Sequence, residues 1–220
     1  MKNQYVGDIN DYRKYGLLRA LTGNGKLRLG ICWMLTPDDQ KADGSRTTYL
    51  QRSPQYRRFD PELFDRLATW VGSGTRGIDF VEGSGLLPGA LFHSELIPDD
   101  GLGRRTFFDA AFKTVAEAEL VFFDPDNGFE IDSCRPGQKG SNRYLCWNEA
   151  QSCFDRGQSV IVYQHFAREN RELHTQRLAG PSVVFERCLL TSSGHSSSSA
   201  PVPGTRMYPS GWSPALDSGS

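Results

Sequence analysis

In LVFFDPDNG an unbroken apolar run, Leu120–Phe123, leads straight into Asp124, Pro125, Asp126 and Asn127. Pro125 fixes its own φ and keeps Asp124 out of helical geometry, so the first carboxylate is presented where a strand ends. Asp126, Asn127 and Gly128 then turn sharply. The bland reading is a good turn sequence. The chemical one is a pair of carboxylates and an amide that accept hydrogen bonds from an amine or hold a cation. VIVYQHF has a second polar terminus, where His165 is a general base, a metal ligand, a binding contact or simply the cap of the next helix. TPDD supplies Asp38, for a ribose hydroxyl, an amine, a metal or plain water. GDINDYRKYG sets Asp11, Lys14 and Tyr15 along one side of a helix, with Lys14 suited to a carboxylate or a phosphate. Glu82, in FVEGSG, is a further acid of the kind that takes a ribose.

The elements that must position these residues are read from periodicity. DYRKYGLLRAL is helical, with Asp11 as the expected N-cap and TGNGK as its stop. LRLGICWML reads as a buried strand ending at TPDD. Asp60 and Pro61 open a helix that carries Leu63, Phe64, Leu67 and Trp70 on one face. GIDFVEG reads as a strand, and LLPGALFHSELI as either loop or short helix. GRRTFFDAAFKTVAEA is helical, ELVFF a strand, and SNRYLCWNEAQSCFDRG a loop into a helix that stops at Gly157. QSVIVYQHF is a strand, ARENRELHTQRL a helix and PSVVFERCLL one more strand. Strands that are continuous apolar runs, alternating with helices, predict an α/β fold with a mostly parallel sheet covered on both faces. In such sheets ligands sit at the carboxyl ends of the strands, which is where the polar clusters fall.

Residues 1–190 form the expected domain. Residues 191–220 are rich in serine, glycine and proline, and disorder is expected there. The shift is abrupt, as it would be if the reading frame were lost near Cys188. A net charge of -1 with 23% charged residues excludes a binder driven by bulk charge. Local basic groups stand at Arg13, Lys14 and Arg19, at Arg52, Arg57 and Arg58, and at Arg104 and Arg105. No apolar run has membrane-spanning length and no signal-peptide core is visible, so a cytoplasmic protein is expected. Cys32, Cys134, Cys146, Cys153 and Cys188 show no CxxC spacing and are expected as free thiols.

The order of these parts resembles class I S-adenosylmethionine-dependent methyltransferases, in particular those that methylate an amino group and carry Asp-Pro-Pro-Tyr after the fourth strand. LVFFDPDNG stands where that motif would stand. The opening VGDINDYRKYGLLRAL is similar to that of bacterial enzymes methylating an adenine N6 in ribosomal RNA. The DPDNG and YQH signatures also resemble those of a bacterial and phage family with no established activity. The methyltransferase resemblance implies a three-layer, Rossmann-like sandwich. It implies that Asp124 and the Pro125 carbonyl accept hydrogen bonds from an exocyclic amine, with Asp126, Asn127 and His165 beside them and Phe129 stacked on the base. It implies S-adenosylmethionine as cofactor, held by Lys14, Tyr15, Asp38 and Glu82, and a nucleotide or nucleic acid as substrate. Against the pattern, Asp126 and Asn127 replace the second proline and the aromatic, and CWMLTPDD lacks a glycine-rich loop.

Two other classes stay open. Asp38, Asp124, Asp126, Asn127 and His165 would suit a phosphoesterase or nuclease using magnesium or manganese. The missing glycine loop would suit a nucleotide- or partner-binding module without chemistry.

Overall fold

The computed structural model describes residues 1–165, apart from 24, 40, 42 and 43, and the strand residues 189–191. Leu29–Cys32 (β1), Leu91–His93 (β2) and Leu120–Phe123 (β3) belong to one sheet with Ser159–Gln164 (β6) and Leu189–Thr191 (β7). Its order is β2-β1-β3-β6-β7. Every pairing in it is parallel. Gly128–Phe129 (β4) and Tyr144–Leu145 (β5) pair separately, beside the end of β6. The protein is therefore an α/β fold, as the uninterrupted apolar strands require.

Alternate side chains divide the sheet into two faces. Leu29, Ile31, Leu120, Phe122, Ile161 and Tyr163 pack with Tyr15 and Leu18 of helix α1 (Ile9–Thr22). The same core takes in Leu63, Phe64 and Leu67 of α3 (Pro61–Gly72) and Ile78 and Val81 of α4 (Ile78–Gly83). The short α2 (Ser53–Tyr56) precedes α3. On the other face Gly30 abuts Val115 and Ala118, just after α5 (Gly101–Thr114), and α6 (Trp147–Phe154) packs on β6.

Three local expectations change. Asp8 caps α1, accepting from the Asn10 amide, and Asp11 lies inside the first turn. GIDFVEG is helical: Ile78 and Val81, three apart, are its buried residues, a spacing that a seven-residue apolar window does not separate from a strand. The place beside β1 goes instead to Leu91–His93, from within LLPGALFHSELI. Asp60 caps α3 as expected, accepting from the Leu63 amide. Cys32, Cys134, Cys146 and Cys153 are free thiols. Among the described residues no helix is long and apolar enough to cross a membrane. The expected helix ARENRELHTQRL, most of the strand PSVVFERCLL, Cys188 and the expected disordered tail lie outside the described residues.

The order of the sheet fixes where a ligand can sit. The chain leaves β1 toward β2 on one side and returns to β3 on the other. The loops after β1 and β3 therefore diverge, and a crevice opens between them. Close contact under this edge depends on Gly30, where a β-carbon would stand 2.7 Å from Val115 Cβ and 2.9 Å from Ala118 Cβ. Gly30→Ala is expected to lower stability by about 1–3 kcal/mol through overpacking. Urea unfolding checks this, and an unchanged midpoint would show that the helix layer can shift to make room.

Candidate functional site

Lys14 is the centre of the crevice floor. It reaches the end of β3 from α1, and its Nζ lies 2.8 Å from Asp11 Oδ1 and 2.6 Å from Asp124 Oδ2. Asp11, Lys14 and Asp124 are exposed by only 1%, 3% and 1%. A third contact, to Met1 Sδ at 3.9 Å, completes the donor set of the ammonium, which also stands 4.6 Å above the Tyr163 ring.

Two carboxylates thus share one cation. Burial by itself would lower the Lys14 pKa, but Asp11 and Asp124 more than reverse this and hold it above the ordinary lysine range. Burial raises Asp11 to about 6 against the pull of Lys14, with the Asp124 charge adding to the rise. Asp11 Oδ2 and the Tyr15 hydroxyl are both buried, and burial together with the neighbouring Asp11 raises the Tyr15 pKa. Asp11 is thus a buried carboxyl whose pKa is raised to about 6. It is not the acid that the strand-end pattern singles out.

The rest of DPDNG is tied down beside this group. The Met1 α-amino nitrogen lies 2.8 Å from Asp126 Oδ1 and donates to the Asp124 and Met34 carbonyls at 2.9 and 3.1 Å. The Thr36 hydroxyl donates to Asp126 Oδ2 at 2.7 Å. Burial opposes ionisation of Asp126, but the Met1 amino group and Thr36 outweigh it and lower its pKa. Met34, at φ 47, turns the chain after β1 in a left-handed conformation that costs a non-glycine residue energy and is commonest at functional sites.

Gln164 clamps the turn from the end of β6. Its Oε1 accepts from the Phe129 amide at 2.8 Å, and its Nε2 donates to the Asn127 and His165 carbonyls at 3.2 and 2.8 Å. Gly128, at φ 103, has no room for a β-carbon because the Gln164 amide occupies that space. His165 stands edge-on to Tyr163, ring centroids 4.7 Å apart, and burial, reinforced by the Lys14 charge, lowers its pKa. It faces the crevice as an uncharged imidazole.

A cleft of about 700 Å³ opens over this floor, and Asp8, Asp11, Lys14, Asp124, Pro125, Asp126, Asn127 and His165 are among its lining residues. At its mouth stand Lys41, Arg46, Lys139 and Arg143, all exposed. The loop carrying the last two is anchored by buried Arg104. That guanidinium binds both Glu149 oxygens at 2.7 and 2.8 Å and the Ser141 and Tyr144 carbonyls at 3.0 and 2.7 Å. Arg104 therefore belongs to the frame and not to a basic surface.

Of the residues expected to act, Asp124, Pro125, Asp126, Asn127, His165 and Lys14 come together at the cleft. The others do not line it. Tyr15 is wholly buried edge-on against Trp33, Asp38 Oδ1 accepts from the Gln4 amide, and Glu82 accepts from Trp33 Nε1 and Ser94 Oγ. Phe129 is stacked on Trp147 with ring centroids 3.7 Å apart, so its face is not presented to a base. Of the residues assigned to S-adenosylmethionine, Lys14 alone is among the lining residues, and its donors are committed to Asp11, Asp124 and Met1. Among the described residues no three His, Cys, Asp or Glu side chains gather as a metal site requires. Gln164, Thr36 and Asp8 stand within the motifs YQH, TPDD and GDINDYRKYG but are given no role there. The only signal for Gln164 is an amide in an otherwise apolar strand. No family model, no curated protein and no solved structure matches the chain.

Lys14→Met leaves two buried carboxylates without their cation, and a loss of about 3–5 kcal/mol is expected. Chemical denaturation measures it; a loss below about 1 kcal/mol would mean that water already reaches these carboxylates. Asp11 gives a pH signature of its own. Its folded-state pKa lies above its unfolded one, so the folded protein holds the extra proton between the ordinary aspartate range and about 6. Stability should fall as pH rises through that window. The fall should be absent in Asp11→Asn, and parallel pH profiles of the two proteins would contradict the assignment.

Proposed function

We propose that the cleft binds a nucleotide-type ligand, with its amino group on the Asp11–Lys14–Asp124 floor and its phosphate toward the cations at the mouth. The observation that carries this reading is the contrast within one cleft. The floor holds Asp11 and Asp124 on Lys14 and Asp126 on the Met1 amino group, and Lys41, Arg46, Lys139 and Arg143 line the cleft as exposed cations, of which Arg46 also meets Asp8 and Lys41 meets Asp39. An acidic floor favours a group that is positive or donates hydrogen bonds, and a cationic rim favours an anion. The buried floor also excludes water, so each of these interactions is stronger than it would be in solution.

Methyl transfer to the ligand's amino group is the reaction that the order of motifs favours, and S-adenosylmethionine would supply the methyl group when bound. The chain's own residues do the positioning. Asp124 is held in place by Lys14, and the turn that follows is held by Gln164. Together they orient the amine by hydrogen bonds, a contribution of geometry and electrostatics. Asp11, beside Lys14 and with a pKa raised to about 6, would take the proton that the amine gives up.

Calorimetric titration separates the readings. Adenosine monophosphate is expected to bind and to lose affinity at least about tenfold in Asp124→Asn, as the loss of a buried charged partner predicts. S-adenosylmethionine is titrated in a second cell, and binding there supports methyl transfer. Manganese binding that needs Asp124, with neither organic ligand bound, would replace this reading with metal-dependent phosphoester hydrolysis. No heat in any cell would leave a protein-binding module.

A further inference from the structure

A second recess runs along the opposite flank of α1. Asn10, Asp11 and Lys14 face the cleft, whereas Arg13, Gly16 and Ala20 line a groove of about 790 Å³ together with Tyr56, Phe59 and Pro61. These two sets lie on opposite sides of the helix. Phe59 is 69% exposed, the most exposed large apolar side chain among the described residues, and the Arg58 guanidinium stands over its ring at 4.9 Å. Leaving an aromatic of this size in water has no advantage for folding. Its backbone is held in place, with the Phe59 amide on the Tyr56 carbonyl at 3.1 Å and the Tyr12 hydroxyl on that same carbonyl at 2.6 Å.

The charges around the groove are not all spent internally. Arg19 is paired with Asp60 and Glu62, and Arg57 with Asp65. Arg13, which lines the groove, and Arg58, over the Phe59 ring, are exposed and have no carboxylate partner among the described residues. A fixed, exposed aromatic flanked by unpaired arginines fits an unpaired base stacked on a ring with its phosphates beside it. A protein partner would want a larger apolar patch, and duplex nucleic acid does not offer a base face to a lone ring. We infer that the groove between α1 and the α2–α3 turn docks single-stranded nucleic acid, Phe59 stacking on a base and Arg13 and Arg58 meeting phosphates. The inference deepens the reading of the cleft, since a docked strand is a source of nucleotides. It stands on different residues and is tested apart from it.

The test is fluorescence anisotropy with end-labelled 20-nucleotide single strands of DNA and RNA, using the full chain at low and moderate salt. Binding by the native protein is expected with either strand or both. Phe59→Ala should weaken it by about tenfold, as loss of one stacked base predicts. Arg13→Ala with Arg58→Ala should reduce the salt slope by about 0.7 for each arginine. Asp124→Asn should bind as the native protein does, which keeps this outcome separate from that of the cleft. Native binding that is unchanged in Phe59→Ala, or matched by heparin and duplex DNA, would overturn the assignment in favour of unspecific charge attraction. So would the absence of binding at low salt.

Discussion

The ammonium of Lys14 is the contact on which the site depends. It is the point at which α1, the first long helix, is fastened to the end of β3, through Asp11 on its own helix and Asp124 across the chain. Three charges out of water would be very costly if any were left alone. The arrangement holds because Lys14 meets a carboxylate on each of two sides and an aromatic face on a third. Burial is the main cause of the rise of the Asp11 pKa to about 6, with the Asp124 charge adding to it, and one cation between two acids gives a floor that attracts donors. Structure and chemistry have the same origin here. The pairing that closes the fold is also what sets the charge of the cleft.

Around that contact, loops are held by buried polar groups as well as by apolar packing such as Phe129 on Trp147. Gln164 binds the turn after β3, Arg104 binds the loop before α6, and Thr36 binds Asp126. Each satisfies backbone or carboxylate groups that would otherwise be buried unpaired. The sheet order puts these loops at the crevice between β1 and β3, so an α/β frame carries a site built from strand-end loops and the charged flank of α1. The strained turn at Met34 belongs to the same construction, because its carbonyl receives the Met1 amino nitrogen. The first helix has a double part in this. One flank supplies the charged floor of the cleft, and the other forms the wall of a groove with a different character.

Much of the frame was legible in the chain itself. Leu120–Phe123 is apolar at every position, which only burial on both faces of a sheet explains, and Asp124 and Pro125 mark its end without ambiguity. Asp60 followed by Pro61 announces the start of α3. Where the reading failed, the local signal was short. Ile78–Gly83 and Leu91–His93 are both brief stretches that mix apolar and polar residues, and it is Leu91–His93 that pairs beside β1. Asp8 and Asp11 are equally good caps in isolation; the need of Lys14 for a buried partner assigns Asp11 elsewhere.

What the sequence determined alone, then, was the class of fold, the sheet end at which the polar turns gather, and Asp124 at the end of its strand. These follow from periodicity and from proline geometry, which act over a few residues. The pairing of Asp11, Lys14 and Asp124, the clamp by Gln164, the stacking of Phe129 on Trp147 and the removal of Tyr15, Asp38 and Glu82 from the cleft were decided by tertiary structure. Each joins side chains far apart in the chain, or fixes which face of a strand or helix a residue shares with a distant one. Desolvation and charge pairing, the two effects that set the character of the site, exist only once those distances have closed.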